Sequence, residues 1–274
     1  MKNAGWLFYR DYYKSLEQED NKQLANFVES GKLSRKDEVF FKDESNALLN
    51  FKWCNSQNSL FPTGNQQPVK LETTYPGLLV GSGYSHQTGS MGEFKLGFFF
   101  DYTTGLPIIP GSSVKGLLRS AFPGREKRSA VKNMKVKFIA EQLGIVRADL
   151  AGMDVAKLED WIFTGKKPGS DDFLPMHQHD VFLDAFIVGT QDQKKRIFAD
   201  DFITPHKDPL KNPVPVRFLK IRPEVIFQFN FILHDSTIGN LTLKANEKVL
   251  LFENILRIFG IGAKTNVGYG QFKD

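Results

Sequence analysis

LPIIPGSSVKGLLRSAF, residues 106–122, reads as an extended approach that turns into a helix. Pro107 and Pro110 fix φ and push the residue before each out of the helical region, so the approach stays extended. Gly111 lets a neighbour come close to the backbone. Ser112 or Ser113 is the expected N-cap, and Val114, Leu117, Leu118 and Ala121 recur at helical spacing as one apolar stripe. Lys115 and Arg119, four residues apart, project together from another face. Pro123-Gly124 stops the helix. Its N-terminus thus offers backbone N–H groups, two hydroxyls and two cations, a combination suited to a phosphate. A helix capped for stability alone, with a basic outer face, has the same signature.

Outward from this stretch the pattern is mixed. In EVIFQFNFIL (224–233), Val225, Phe227, Phe229, Phe231 and Leu233 share one face, with Gln228 and Asn230 on the other. VFLDAFIV (181–188), RIFADDFIT (196–204) and PVRFLKI (215–221) also carry strand signals, as do GLLVGSG (77–83) and EFKLGFFFDYTTGLPIIPG (93–111), with DYTTG as a turn. An amphipathic helix is expected at roughly 246–259, with Leu251, Phe252, Ile255, Leu256, Ile258 and Phe259 inward and Glu247, Asn254 and Arg257 in solvent. The order strand, helix, several strands, helix, strand predicts an α+β domain with an antiparallel sheet and helices on one face. Its expected core is a ferredoxin-like βαββαβ unit within residues 77–274. Residues 1–70 are expected as a helical extension and loop. Trp6, Tyr9, Tyr13, Leu16, Leu24, Phe27 and Val28 fall near helical spacing, and NSQNSLFPTGNQQP (55–68) reads as the loop. Residues 125–178, with a helix near 131–143, are expected as an insertion after the first core helix, so that 1–274 form a single domain.

Composition bounds the function. The 274 residues are 41% hydrophobic and 24% charged, ordinary globular values that exclude a fibrous or disordered chain. No apolar run approaches the ~20 residues of a membrane helix, and the first twenty residues lack a signal-peptide pattern, so a cytoplasmic protein with no membrane association is expected. The single cysteine, Cys54, allows neither an intramolecular disulfide nor a cysteine zinc cluster. The net charge of +5 is unevenly spread. Residues 111–147 hold Lys115, Arg119, Arg125, Lys127, Arg128, Lys132, Lys135, Lys137 and Arg147 against Glu126 and Glu141, which leaves the remainder of the chain slightly acidic. Such a stretch is the footprint of a phosphate-backbone binder or a solvated helical face.

The chain closes on GIGAKTNVGYGQF (260–272). Gly260 is placed to end the preceding helix, while Gly262, Gly268 and Gly270 leave bare backbone around Lys264, Thr265 and Asn266. Neither a Walker loop nor a dinucleotide fingerprint fits, because each must follow a strand and open a helix. No cofactor is expected. A purely geometric turn between a helix and a last strand is the alternative to a ligand loop.

Together, Gly81-Ser82-Gly83, DYTTGLPIIPGSSVKGLLR and the glycine-rich ending resemble the RAMP superfamily of CRISPR-associated RNA-binding proteins. Chain length and the passage LDAFIV…DDFITPHKDPLKNPVPVRFLKI look most like the sixth-subunit family of type III-B (Cmr) effector complexes. The strong motifs cover about a quarter of the chain, and residues 1–70 carry none. The resemblance implies an RRM-related core and a non-catalytic subunit that holds guide RNA, and its duplex with target RNA, among other subunits of the effector in antiviral defence. It nominates Ser112, Ser113, Lys115, Arg119, Gly262, Lys264 and Asn266 for RNA contact. No cleavage loop matches, so no catalytic residue is carried over and no metal is expected.

Two rival readings have residues behind them. His86, in the polar loop GSGYSHQTG, could act as a general base in metal-independent RNA cleavage for guide processing. His177 and His179, with Asp180, Asp200, Asp201 and His206, could gather a divalent metal if they converged. Cys54 has no evident base beside it, and no nucleophile elbow occurs. The 25 phenylalanines and the aromatic N-terminus also fit a mainly protein–protein assembly subunit, or a wide core that phenylalanine fills.

Overall fold

The computed structural model describes residues 3–13, 37–54, 64–80, 93–94, 98–124, 126–204 and 215–273. The first half holds α1 (Ala4–Tyr9), α2 (Asp37–Leu49), β1 (Val69–Thr73), β2 (Ile108–Ile109), α3 (Gly111–Ser120), α4 (Ser129–Val146) and α5 (Val155–Thr164). Next come β3 (Val181–Phe182), β4 (Ala185–Thr190), β5 (Phe198–Ile203), β6 (Val216–Ile221) and β7 (Val225–Phe229). The chain ends with β8 (Phe231–Ile232), β9 (Ser236–Ile238), β10 (Leu241–Leu243), α6 (Ala245–Phe259) and β11 (Phe272–Lys273). No described helix is long and apolar enough to cross a membrane.

The alternating stretch is the spine of the sheet. β7 lies between β1 and β4 in a five-stranded sheet of order β11-β1-β7-β4-β2, with every pair antiparallel. Phe227 sits opposite Leu71 on one side and Ile187 on the other. Val225, Phe227, Phe229, Phe231 and Leu233 are buried, because a period of two delivers every second side chain to the same face. At Asn230 the strand changes partner: Phe231 and Ile232 leave the sheet to pair with β3. The mixed architecture of helices and antiparallel sheet is the one the sequence predicts.

Three local expectations need correction. Neither Ser112 nor Ser113 caps α3. Pro110 occupies the cap position without a side-chain hydrogen bond, and both serines are exposed on the first turn. The capping acceptor is Asp184, 73 residues away, whose Oδ1 accepts the Gly111 N–H at 2.6 Å. A carboxylate there also meets the positive end of the helix dipole. In α6, Leu251, Phe252, Ile255 and Leu256 are buried as expected, but Ile258 and Phe259 are exposed, since the last turn meets α4 rather than the sheet. The buried face takes in Lys248 instead, paired with the equally buried Asp180. Burial pulls the Lys248 pKa down, and Asp180 opposes that pull.

The third correction concerns the N-terminus. Trp6 faces outward, Tyr9 lies at the margin with its ring against Phe100 and its hydroxyl donating to Phe98 O, and α1 buries Ala4 and Phe8, with Tyr12 just beyond it. Leu16, Leu24, Phe27 and Val28 lie outside the described residues. A six-residue helix has room for one contact row, and this one is set by Gly5, whose N–H donates to Gly105 O at 2.9 Å. Phe8 then packs against Phe100 at 5.4 Å, and Tyr12 stacks on Phe41 at 5.2 Å. Phe98 continues the cluster to Phe198 of β5 at 5.8 Å. The phenylalanines are thus largely interior; among the described ones, Phe173, Phe202 and Phe259 are exposed. Helix α4 is longer than expected, and Ile139, Leu143, Leu158 and Phe163 of α4 and α5 join the same hydrophobic cluster as the sheet.

Phe8→Ala is expected to destabilise the full chain by about 3–5 kcal/mol. Trp6→Ala, removing a larger ring from the outer face, should cost less than about 1 kcal/mol. Urea unfolding of both variants measures the difference, and the reverse ranking would place the buried row on the other side of α1.

Candidate nucleic-acid interface

The glycine-rich ending is built by backbone docking. Gly260 terminates α6 with φ of 65°. Ile261 N–H then donates to Gly270 O at 2.9 Å, Gly270 N–H to Gly77 O at 2.8 Å, and Ala263 N–H to Leu79 O at 2.9 Å. These contacts leave no room for side chains. A Cβ on Gly262, at φ of 99°, would lie 2.5 Å from Leu79 O, and one on Gly270 would lie 1.9 Å from Ile261 O. Glycine is required at both positions by close approach and by positive φ.

Tyr269 fastens the loop from beneath. Its hydroxyl donates to Asp201 Oδ2 at 2.7 Å, and Lys220 Nζ donates to the same oxygen at 2.5 Å. The ring packs against Phe218 at 6.1 Å. Burial, then the neighbouring carboxylate, pushes the Tyr269 phenol well above its ordinary range. Burial also raises the Asp201 carboxyl, but Lys220 and Tyr269 outweigh it and hold Asp201 below the usual carboxylate range. The loop is therefore fixed to the β5–β6 hairpin by a satisfied polar network, while Lys264 and Asn266 remain exposed at its tip.

Facing this loop across a groove of about 460 Å³ is helix α3. Pro110, Ser113, Gly116 and Leu117 form one wall, Gly262, Ala263 and Thr265 the other, and Leu78 and Val80 lie at the base. The two segments, more than 140 residues apart in sequence, thus make one concave surface. Its base is apolar, its rim carries the hydroxyls of Ser113 and Thr265, and the Lys264 cation stands beside it. That combination can take a sugar–phosphate backbone: apolar contact for ribose, hydroxyls and a cation for phosphate oxygens.

The nominated residues divide. Ser113 and Gly262 line the groove; Ser112 lies exposed on the same helix turn, and Lys264 and Asn266 sit on the facing loop. Lys115 is directed over the Phe182 ring, its Nζ 5.7 Å from the centroid. Arg119 points to Glu159, Nε to Oε1 3.3 Å, on the side of α3 away from the glycine loop. Thr265, read in the sequence as a hydrogen-bonding loop residue, and Gly116 also line the groove though neither was nominated for RNA contact. Thr265 carried no signal beyond that reading. Gly116 did: it interrupts a good helix, where glycine costs about 1 kcal/mol relative to alanine, and a Cβ there would meet nothing within 4 Å. A helical glycine that nothing crowds leaves the surface beside it open.

The basic stretch is likewise divided. Arg147 is committed to structure, bonded to Asp149 at 2.7 Å, Glu247 at 2.8 Å and Thr242 O at 2.9 Å. Lys137 pairs loosely with Glu141 at 3.8 Å. Arg125 lies outside the described residues, as do Gly81-Ser82-Gly83, His86 and His206. The described members of the metal candidate set are engaged separately. His179 Nε2 contacts Leu174 O at 2.9 Å, Asp180 holds Lys248, and Asp200 pairs with Arg217 at 2.8 Å. His177 is exposed, and among the described residues no three His, Cys, Asp or Glu side chains gather as metal ligands.

Two of the glycines that line the groove predict opposite responses to one substitution. Gly262→Ala should destabilise the chain by more than about 1 kcal/mol, because positive φ and the Leu79 carbonyl both oppose a Cβ. Gly116→Ala should stabilise it by roughly 0.5–1 kcal/mol. Thermal or urea unfolding of the two variants decides, and equal effects would contradict the backbone docking described above.

Comparison with known proteins identifies a family. The model of the RAMP superfamily matches residues 70–273, a span that includes both walls of the groove. Among solved structures, the chain is similar to one in the cryo-EM structure of the type III-B Cmr-beta bound to cognate target RNA. Identity is 19%, 98% of this chain and 87% of that chain are covered, and the TM-score is 0.50. It is also similar to Cmr6 from Pyrococcus furiosus, at 20% identity, with 76% of this chain and 97% of that chain covered and a TM-score of 0.44. No curated protein matches it. A family match over well more than half of the sequence establishes that the chain belongs to the RAMP superfamily.

Proposed function

We propose that the chain is a non-catalytic RNA-binding subunit of a type III CRISPR ribonucleoprotein effector, acting in the cytoplasm in antiviral defence. It holds guide RNA, and the duplex of that guide with target RNA, through backbone contacts. The observation that carries this reading is the groove in which Ser113 and Gly116 of α3 face Gly262 and Thr265 of the glycine-rich loop. Its chemistry suits phosphates and riboses and offers no built-in code for bases, so sequence readout falls to guide–target pairing. Ser112, Lys115, Arg119, Lys264 and Asn266 complete the contact set from the exposed helix turn, the flanks of α3 and the tip of the loop. Similarity to a chain of an RNA-bound Cmr-beta structure supports the choice of complex, in which other subunits flank this one.

The same reading extends to the core. The order β11-β1-β7-β4, all antiparallel, with α3 between β1 and β4 and α6 between β7 and β11, supports a ferredoxin-like βαββαβ unit. In such a unit both helices start or end beside the sheet edge where the groove lies. No residue is assigned to catalysis.

The test is a gel-shift series with labelled single-stranded RNA, without added metal, across increasing salt. Wild-type protein is expected to shift the RNA and leave it full-length. Lys264→Ala is expected to weaken binding several-fold at low salt and to reduce the slope of log K against log salt by about 0.7, one phosphate contact on a single strand. An unchanged slope would remove the loop from the interface. Shortened RNA whose production is lost in His86→Ala would replace this reading with a nuclease.

A further inference from the structure

On the other side of α3 lies a second concavity of about 800 Å³, which shares Gly116 with the groove and is lined otherwise by residues that do not face the glycine-rich loop. Arg119, Lys127, Arg128 and Lys135 line it, together with two acids, Glu126 and Glu159. The arginines are already matched: Arg119 Nε lies 3.3 Å from Glu159, and Arg128 Nε lies 3.2 Å from Glu126. Glu159 is itself locked in place, nearly inaccessible and accepting the Gly124 N–H at 2.6 Å. Among the described residues, Lys127 and Lys135 have no salt-bridge partner, so the basin keeps a surplus of two positive charges on mobile, hydrated stems.

The basin is not isolated. Gly116 lines both it and the groove, and a Cβ at Gly116 would meet nothing within 4 Å. Gly116 places bare helix backbone between the two concavities, with the small Ser113 and Ser120 one turn to either side. A strand lying in the groove can cross α3 at this low point and continue toward the two unpaired lysines. Point charges on flexible stems suit successive phosphates and carry no base preference.

We propose that this basin is a second phosphodiester-binding site, and that a single RNA strand runs from the groove over Gly116 onto Lys127 and Lys135. The proposal rests on the RNA reading of the groove and lengthens its footprint. Arg119 takes part here, as an arginine positioned by Glu159 at the mouth of the basin.

The experiment is fluorescence anisotropy of the full chain with labelled oligouridylates of 6 and 15 nucleotides over a salt series. Lys127→Ala combined with Lys135→Ala is expected to weaken the 15-mer about tenfold at low salt and to reduce its salt slope by about 1.4, while leaving the 6-mer unchanged. Lys132→Ala combined with Lys137→Ala, which removes the same charge from α4 outside the basin, is expected to leave the 15-mer slope as in wild type. Lys264→Ala is expected to weaken both lengths. A 15-mer unaffected by the Lys127/Lys135 change overturns the basin, and the groove stands on the Lys264 result. Equal losses in the Lys132/Lys137 control also overturn it, because net charge alone would then explain binding. If Lys264→Ala changes neither length while Lys127/Lys135 weakens the 15-mer, the groove reading fails and the continuous track fails with it.

Discussion

The closing loop of the chain is closed on itself and docked on the segment after β1 by backbone hydrogen bonds, with Tyr269 packed beside Leu79. Ile261, Ala263 and Gly270 donate to Gly270, Leu79 and Gly77 respectively, at 2.8–2.9 Å. Contacts this close need glycine, since a Cβ at Gly262 or Gly270 would overlap a carbonyl oxygen. The docking sets the distance between α6 and β11, brings Tyr269 over Asp201 and Lys220, and leaves Lys264 and Asn266 at the rim. A pattern that from sequence could be a ligand loop or pure geometry has a geometric basis in the glycines, and the polar Lys264 and Asn266 between them are left exposed.

The opposite wall is held with equal firmness from a distance. Asp184 accepts the Gly111 N–H and so ties the start of α3 to the β3–β4 segment, while a Cβ at Gly111 would meet Phe182 O at 2.1 Å. Behind both walls, one hydrophobic cluster runs from the N-terminal aromatics through the sheet to α4 and α5. One wall is a regular helix and the other a loop pinned by backbone hydrogen bonds and by Tyr269, so both are fixed to the same packed body.

What the sequence disclosed follows the periodicities. The strand at 225–229 and the helices at 111–120 and 245–259 were legible because their apolar residues recur at two or at 3.6, and the structure buries most of them, with Leu117 half-buried and Ile258 and Phe259 exposed. The convergence of the two motifs was less legible, since it depends on the strand order that sets β11 beside β1. Capping of α3 was invisible, because the acceptor is 73 residues away and no local rule finds it. The buried side of α1 was not legible either: helical spacing marks Trp6 and Tyr9, but Gly5 must approach Gly105, which turns Ala4 inward and Trp6 out. The basic stretch promised one surface, yet Arg147 binds structural acids and Arg119 binds Glu159. Pairing is a tertiary fact that a charge count cannot contain.

The central claim is that helix α3 and the glycine-rich loop grip the same RNA strand. Photo-crosslinking of 4-thiouridine-labelled RNA to the full chain, followed by mass spectrometry of the attached peptides, addresses it directly. Crosslinks on peptides spanning both 111–120 and 260–270, lost together in high salt, are the expected result. Crosslinks confined to one of these two segments, or absent from both, would contradict a shared groove.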